Sequence, residues 1–183
     1  MGRPKQFNRD GVLDRAIPVF WKHGFANTTL QRLEEATGVN KSGLYSEFKD
    51  KDDLFLASLE RYAQTRGAEI LTAQPLGWDN IERFLRLGFG FDDDQRGCFA
   101  VNSMRELAGL PAEAQDIISS SQQKLTRLLI KNIEAKKPKL DASMIADVVL
   151  TFFHGFCIAQ NLKSGKASSE RKIGNLMQVV RNL

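Results

Sequence analysis

Cysteine and histidine are nearly missing from this chain. Its 183 residues hold two of each: Cys98, Cys157, His23 and His154. None stands at metal-ligand spacing from another, so no metal site is expected and both thiols are expected to stay reduced. Also missing are a Gly-x-Ser-x-Gly elbow, a phosphate-binding loop and a dinucleotide fingerprint. That leaves nothing to carry enzyme chemistry, and we assign no catalytic residue and no cofactor. No apolar run approaches a membrane span. The basic start, Met1 to Phe7, has no apolar stretch of the kind a secretory signal needs. A cytoplasmic protein with a basic arm is expected.

Positive charge is modest in total but unevenly placed. Of the formal net charge of +4, residues 1–51 hold three. DNA binding needs cations at phosphate positions more than it needs a large sum, which directs attention to Arg3, Lys5, Lys41, Lys49 and Lys51.

In the same region, Thr28 followed by Gln31 reads as a capping box that opens a helix near Thr29, with Leu30, Leu33 and Ala36 on its inner face. Gly38 then suits the left-handed turn that ends a helix, and Asn40 is a second N-cap. Leu44 and Phe48, four apart, give the following helix its inner face, and Val39 plugs the corner between the two. Lys41, Ser42, Gly43, Tyr45 and Ser46 remain at the exposed start of that second helix. Residues 29–48 therefore read as a helix-turn-helix, whose second helix suits the major groove.

The run from Lys41 to Phe55, Lys-Ser-Gly-Leu-Tyr-Ser-Glu-Phe-Lys-Asp-Lys-Asp-Asp-Leu-Phe, closely resembles the recognition helix and following segment of the TetR family of bacterial transcriptional regulators. Residues 16–29 resemble that family's first helix, its glycine stop at Gly24 and its second-helix entry. Arg96 to Leu107 is similar to a segment that follows helix five in one branch. The resemblance implies a DNA-binding domain over 6–66 and a ligand-binding and dimerisation domain over 67–183. It also implies an all-α fold of about nine helices and a homodimeric repressor on a palindromic double-stranded operator, released by a small apolar or planar effector. Three residues depart from the pattern. Glu34 and Glu47 stand where small and neutral groups are common, and Pro18 lies inside helix one at a cost of roughly 3 kcal/mol unless a bend absorbs it.

DNA contacts are expected from Arg3, Lys5, Thr28, Thr29, Lys41, Ser42, Gly43, Tyr45, Ser46, Lys49 and Lys51. Past them, Asp50 and Asp53 cap a fourth helix carrying Leu54, Phe55, Leu59 and Tyr62, the connector between the domains. Helix six is expected from about Cys98 to Leu107. The effector cavity is expected among Phe84, Leu87, Phe91, Val101, Met104, Phe152 and Phe156, with Asn102, Arg105 or His154 as orienting polar groups. The helix from Asp141 to about Leu162 is apolar on most sides, so it must be covered. The expected dimer interface is Val148, Phe152, Gly155 and Ala159 with Ile173, Leu176, Met177 and Val180. Cys98, beside Arg96 at a helix start, is a redox candidate. The alternatives are thus a thiol-based redox- or electrophile-sensing repressor and a helical adaptor that does not touch DNA.

Overall fold

Asn8 opens the first helix by accepting the Gly11 N–H on its side-chain oxygen at 3.3 Å. The computed structural model describes residues 8–90, 95–162 and 165–183. Among these lie nine α-helices and no strand: α1 Arg9–Asn27, α2 Leu30–Thr37, α3 Lys41–Glu47, α4 Lys51–Thr72, α5 Trp78–Arg86, α6 Phe99–Ser103, α7 Glu113–Glu134, α8 Ala142–Gln160 and α9 Lys166–Val180. Two 3-10 segments, Leu87–Phe89 and Met104–Gly109, extend α5 and α6. The expected residues Arg3, Lys5 and Phe91 lie outside the described residues.

Helix α1 runs through Pro18, and its backbone leaves helical geometry at Gly24 (φ 73°, ψ 171°), a region that favours glycine. Helix α4 starts on a reciprocal cap: the Asp50 carboxylate accepts the Asp53 N–H, and the Asp53 carboxylate accepts the Lys49 N–H, both at 2.9 Å. The predicted helix six is shorter than expected. Its α-helical part ends at Ser103 and tightens into the 3-10 segment, because Leu110 precedes Pro111 and must be extended.

Two apolar cores result. One gathers Val12, Phe20, Trp21, Leu33, Leu44, Phe48, Leu54, Phe55 and Leu59 from α1–α4, and it also takes in Phe99, Ala114 and Ile118 from far along the chain. The other joins α5 to α9 around Phe84, Leu129, Val149 and Phe153. Between α4 and α5 the chain is tied down by the buried Asn132 of α7. Its amide donates to the Leu71 and Leu128 carbonyls (2.7 and 2.9 Å), and its oxygen accepts the Gly77 N–H and the Asn80 amide (2.9 and 3.0 Å).

Helix α8 corrects the expectation that no run approaches a membrane span, being long and apolar enough, by length and composition alone, to cross one. Here its inner side, including Ile145, Val149, Phe153 and Cys157, closes the second core. Helix α9 corrects the sequence reading: Ile173, Met177 and Val180 are buried in the protomer's own core. The face they share turns inward to α5, where Arg86 pairs with Glu170 (3.2 Å) and Arg181 with Glu82 (2.8 Å).

Candidate nucleic-acid interface and internal cavity

Helix α2 begins one residue later than the sequence suggests. Thr29 is the N-cap, its hydroxyl accepting the Arg32 N–H at 3.4 Å, and Gln31 reaches forward to Glu35 (3.0 Å) instead of back to the cap. Thr28 is buried, with its hydroxyl donating to the Gly24 carbonyl at 2.6 Å, so it cannot offer that proton to a phosphate. On the inner face of α2 Thr37 replaces the exposed Ala36. Gly38 ends the helix in the left-handed region (φ 70°). Asn40 caps α3 by accepting the Gly43 N–H at 2.9 Å.

Leu44 and Phe48 anchor α3 in the core. This anchoring turns Lys41, Ser42, Tyr45, Ser46 and Glu47 outward, with Lys49 exposed just beyond and Gly43 half-buried. The Lys41 ammonium lies 5.9 Å from the centre of the Tyr45 ring. The Ser46 hydroxyl donates to the Gly43 carbonyl at 2.7 Å. Glu34, unexpected on the sequence pattern, crosses the turn so that its carboxylate accepts the Lys41 backbone N–H. Arg9 braces the far end, donating to the Glu47 carbonyl at 3.0 Å while its guanidinium lies over the Phe48 ring at 4.4 Å. Lys51 is a further correction. Its ammonium donates to the Phe25 and Thr28 carbonyls (3.0 and 3.2 Å) and sits 4.3 Å from the Phe25 ring centre, so it holds the turn before α2 and does not point outward.

A small cavity of about 50 Å³ lies between the two cores. Of the expected lining, Phe84, Leu87, Val101 and Met104 contribute to it. Phe152 and Phe156 do not: Phe152 stacks on Phe156 (5.6 Å between ring centres), and Phe156 faces Phe89. One residue along α8, Phe153 takes their place, and His154, expected as an orienting polar group, does reach the cavity. Sequence reasoning missed Tyr62, Ala63 and Gly67 from α4 and Ile118, Ser121, Gln122 and Leu125 from α7. Its polar groups among the described residues are hydroxyl, amide, imidazole and thiol. The Gln122 amide lies 3.3 Å from the Met104 sulfur and 3.5 Å from His154 Nε2, and the Tyr62 hydroxyl donates to the Cys98 sulfur at 3.5 Å. Neither Asn102 nor Arg105 lines the cavity; both border a separate groove beside the end of α1.

Burial holds the His154 imidazole below the ordinary histidine range, and burial pushes the Cys157 thiol up. The histidine shift carries a sign. On unfolding, His154 regains its ordinary pKa of about 6.5, so below that pH the unfolded chain binds a proton the folded chain resists. Its contribution to stability is therefore complete above about pH 6.5 and is lost as pH falls toward the lowered folded value. Heat denaturation between pH 7 and pH 5 should show a falling midpoint, and His154→Gln should flatten that slope. An unchanged slope would remove His154 as its source.

On the outside of α8, Met144, Val148, Gly155 and Ile158 are exposed, with Phe152 and Ala159 half-covered beside them. Leu176 is half-covered on α9, and Val179 stands out from it.

Residues 12–58 match the family described as bacterial regulatory proteins, tetR family. Over nearly the whole length the chain is similar to the HTH-type transcriptional repressor ComR of Escherichia coli K12, with 30% identity over 97% of this chain and 88% of that one. The N-terminal part is similar to the repressor AcnR of Corynebacterium glutamicum, 39% identical over 38% of this chain and 36% of that one. Among solved structures, reduced NemR of E. coli superposes with a TM-score of 0.79 at 20% identity, covering 96% of this chain and 95% of that one. A cysteine mutant of the TetR-family regulator CifR, in complex with a 26-base-pair double-strand operator, superposes with a TM-score of 0.81 at 24% identity, covering 98% and 100%.

Proposed function

The chain belongs to the TetR family of bacterial regulatory proteins, and from that premise we propose that it is a repressor that grips a palindromic operator as a homodimer and releases it when a small uncharged molecule enters the cavity. The carrying observation is the outer face of α3: a lysine and three hydroxyls held outward by two fully buried anchors, Leu44 and Phe48. Cation and hydroxyls suit phosphate oxygens and base edges, and a helix of this diameter fits the major groove. On this reading the DNA contacts are Thr29, Lys41, Ser42, Gly43, Tyr45, Ser46 and Lys49. The role is binding, with no bond made or broken, and its place is the cytoplasm, where the operator lies.

One seven-residue helix reaches too few base pairs for useful specificity, so two must act together, about 34–36 Å apart, on successive major grooves. The outer face of α8, where Met144, Val148 and Ile158 are exposed beside Asp147 and Thr151, supplies with Val179 and Leu176 of α9 the surface on which a second copy sits.

The cavity sets the effector's chemistry. Among the described residues its wall holds no lysine, arginine, aspartate or glutamate, so a charged ligand would find no counter-charge from them. The cavity is also smaller than the ~150 Å³ that admits benzene, so a larger occupant must push its walls apart. That requirement creates the differential affinity an inducer needs, since a ligand binding both states equally shifts nothing. A 100-fold induction corresponds to about 2.7 kcal/mol of coupling. Cys98 serves this cavity as a soft, polarisable wall group.

Selection of duplexes from a random library, followed by titration over a salt series, tests the reading. A palindromic consensus and a steep salt dependence are expected. Lys41→Ala should weaken all duplexes about equally and reduce the salt slope by about one. No duplex binding at low salt would leave the adaptor reading in its place.

A further inference from the structure

The break at Gly24 leaves a problem that a distant residue solves. Because the backbone departs from the helix there, the Phe25 and Ala26 N–H groups begin a new single turn without the acceptors an unbroken helix would supply. Both are taken by one carboxylate oxygen of Glu106, at 3.1 and 3.4 Å. These are charge-assisted bonds, stronger than neutral ones. A Cβ at residue 24 would overlap that carboxylate, so the glycine serves both the turn and the approach of Glu106. From the same turn, the Thr28 hydroxyl holds the Gly24 carbonyl, and Lys51 holds the Phe25 and Thr28 carbonyls. Helix α2 begins two residues after Thr28. The direction in which the helix-turn-helix leaves α1 is thus fixed in part by a side chain 80 residues away in sequence.

That side chain belongs to the Met104–Gly109 3-10 segment, and two residues before it Met104 lines the cavity with Ala100 and Val101 of α6. We propose that Glu106 is a latch through which the state of the cavity reaches the helix-turn-helix. An occupant that presses on Met104 moves the 3-10 segment, and a displacement of about 1 Å takes hydrogen bonds of this length out of range. The turn at Gly24 then loses its anchor in the C-terminal part of the chain, and α2 and α3 are freed to leave the operator-reading position. Helix α4 offers a parallel route, since it carries Tyr62, Ala63 and Gly67 at the cavity and Leu54 and Phe55 in the first core. The latch is separable from that route because it acts through two named backbone amides. The inference rests on the effector-released repressor reading for its purpose, while the contact itself is independent of DNA.

The test fills the cavity from within, using Ser121→Phe in the full chain as a stand-in for an occupant. Amide hydrogen exchange without DNA should then be at least tenfold faster at Phe25 and Ala26. Glu106→Ala should expose the same two amides without any cavity change, and Glu106→Gln, whose side-chain carbonyl still accepts, should restore much of the protection. On a selected operator, Ser121→Phe should weaken binding tenfold or more when Glu106 is present but less than threefold when it is alanine. Should either Ser121→Phe or Glu106→Ala fail to fold, Ala63→Leu fills the same space and Glu106→Asp withdraws the carboxylate by one methylene. Unchanged exchange at the two amides when the cavity is filled, or an equal loss of operator affinity in both backgrounds, overturns the latch. If the unsubstituted chain binds no duplex, the repressor reading fails and the exchange measurement still decides the latch.

Discussion

Replacing Val148 and Ile158 together by aspartate is expected to give a folded monomer that binds operator at least 100-fold more weakly than the unsubstituted chain. Both side chains stand on the outer face of α8, 48% and 44% exposed, and neither belongs to a core of the protomer. Substitutions at such positions usually change protomer stability by no more than about 0.5 kcal/mol. In a dimer the same positions would bury carboxylates, which costs several kcal/mol for each ion left unpaired. Operator affinity falls because the second recognition helix then has to be recruited from bulk solution. Linking two binding modules raises avidity by about 10²–10⁴ over one module alone. Sedimentation, a thermal melt and an operator titration on one preparation check all three parts. A double variant that remains dimeric would place the interface elsewhere, and a monomer with undiminished affinity would remove the need for pairing.

The parts of the molecule legible in its sequence are those set by neighbours a few residues apart. Gly38, Asn40, Leu44, Phe48 and Asp50 each do what their type and spacing imply, since a cap or a helix face needs only local chain. Thr28 and Thr29 show the limit: two adjacent candidates for one cap cannot be ranked until Gly24 takes the hydroxyl of the first. The inner and outer faces of α8 were hard to assign because an apolar surround has no phase. The sequence points Phe152 and Phe156 at the cavity where Phe153 lines it, while His154 lies there as its polarity suggests. The inward face of α9 was misassigned for a related reason, as Ile173, Met177 and Val180 would suit a partner or a core equally well. Lys51 looks like any solvated lysine until the Phe25 and Thr28 carbonyls appear beside it. Glu106 and Asn132 carry no local signal, because each acts on backbone more than 50 residues away. The cavity is a vacancy left by packing, and no residue pattern announces a vacancy.

Phe99→Ala is expected to destabilise the whole chain by about 3–5 kcal/mol, the usual cost of truncating a fully packed phenylalanine. Phe99 is the first residue of α6, yet its ring lies in the core of the helix-turn-helix part, 6.2 Å from Trp21 in a stacked arrangement and edge-on to Phe55 and Tyr62 at 5.9 and 5.6 Å. Trp21 adds a second tie across the same seam, its indole N–H donating to the Arg96 carbonyl at 3.0 Å. Because one ring serves both parts, the unsubstituted chain should unfold in a single transition followed alike by tryptophan fluorescence, from Trp21 in one core and Trp78 against the other, and by helical circular dichroism. For a chain of this length a loss of 1 kcal/mol lowers the midpoint by about 2–4 °C, so the alanine variant should melt roughly 6–20 °C lower. Phe99→Leu, which keeps most of the volume, should lose much less. Two separate transitions in the unsubstituted chain, or a loss below about 1 kcal/mol for alanine, would mean that the seam is a loose contact between independently stable parts. A single transition with the full loss would mean that the helix-turn-helix is held in place by a ring whose chain neighbours, Cys98 and Ala100, line the cavity, so that the two parts fold as one unit.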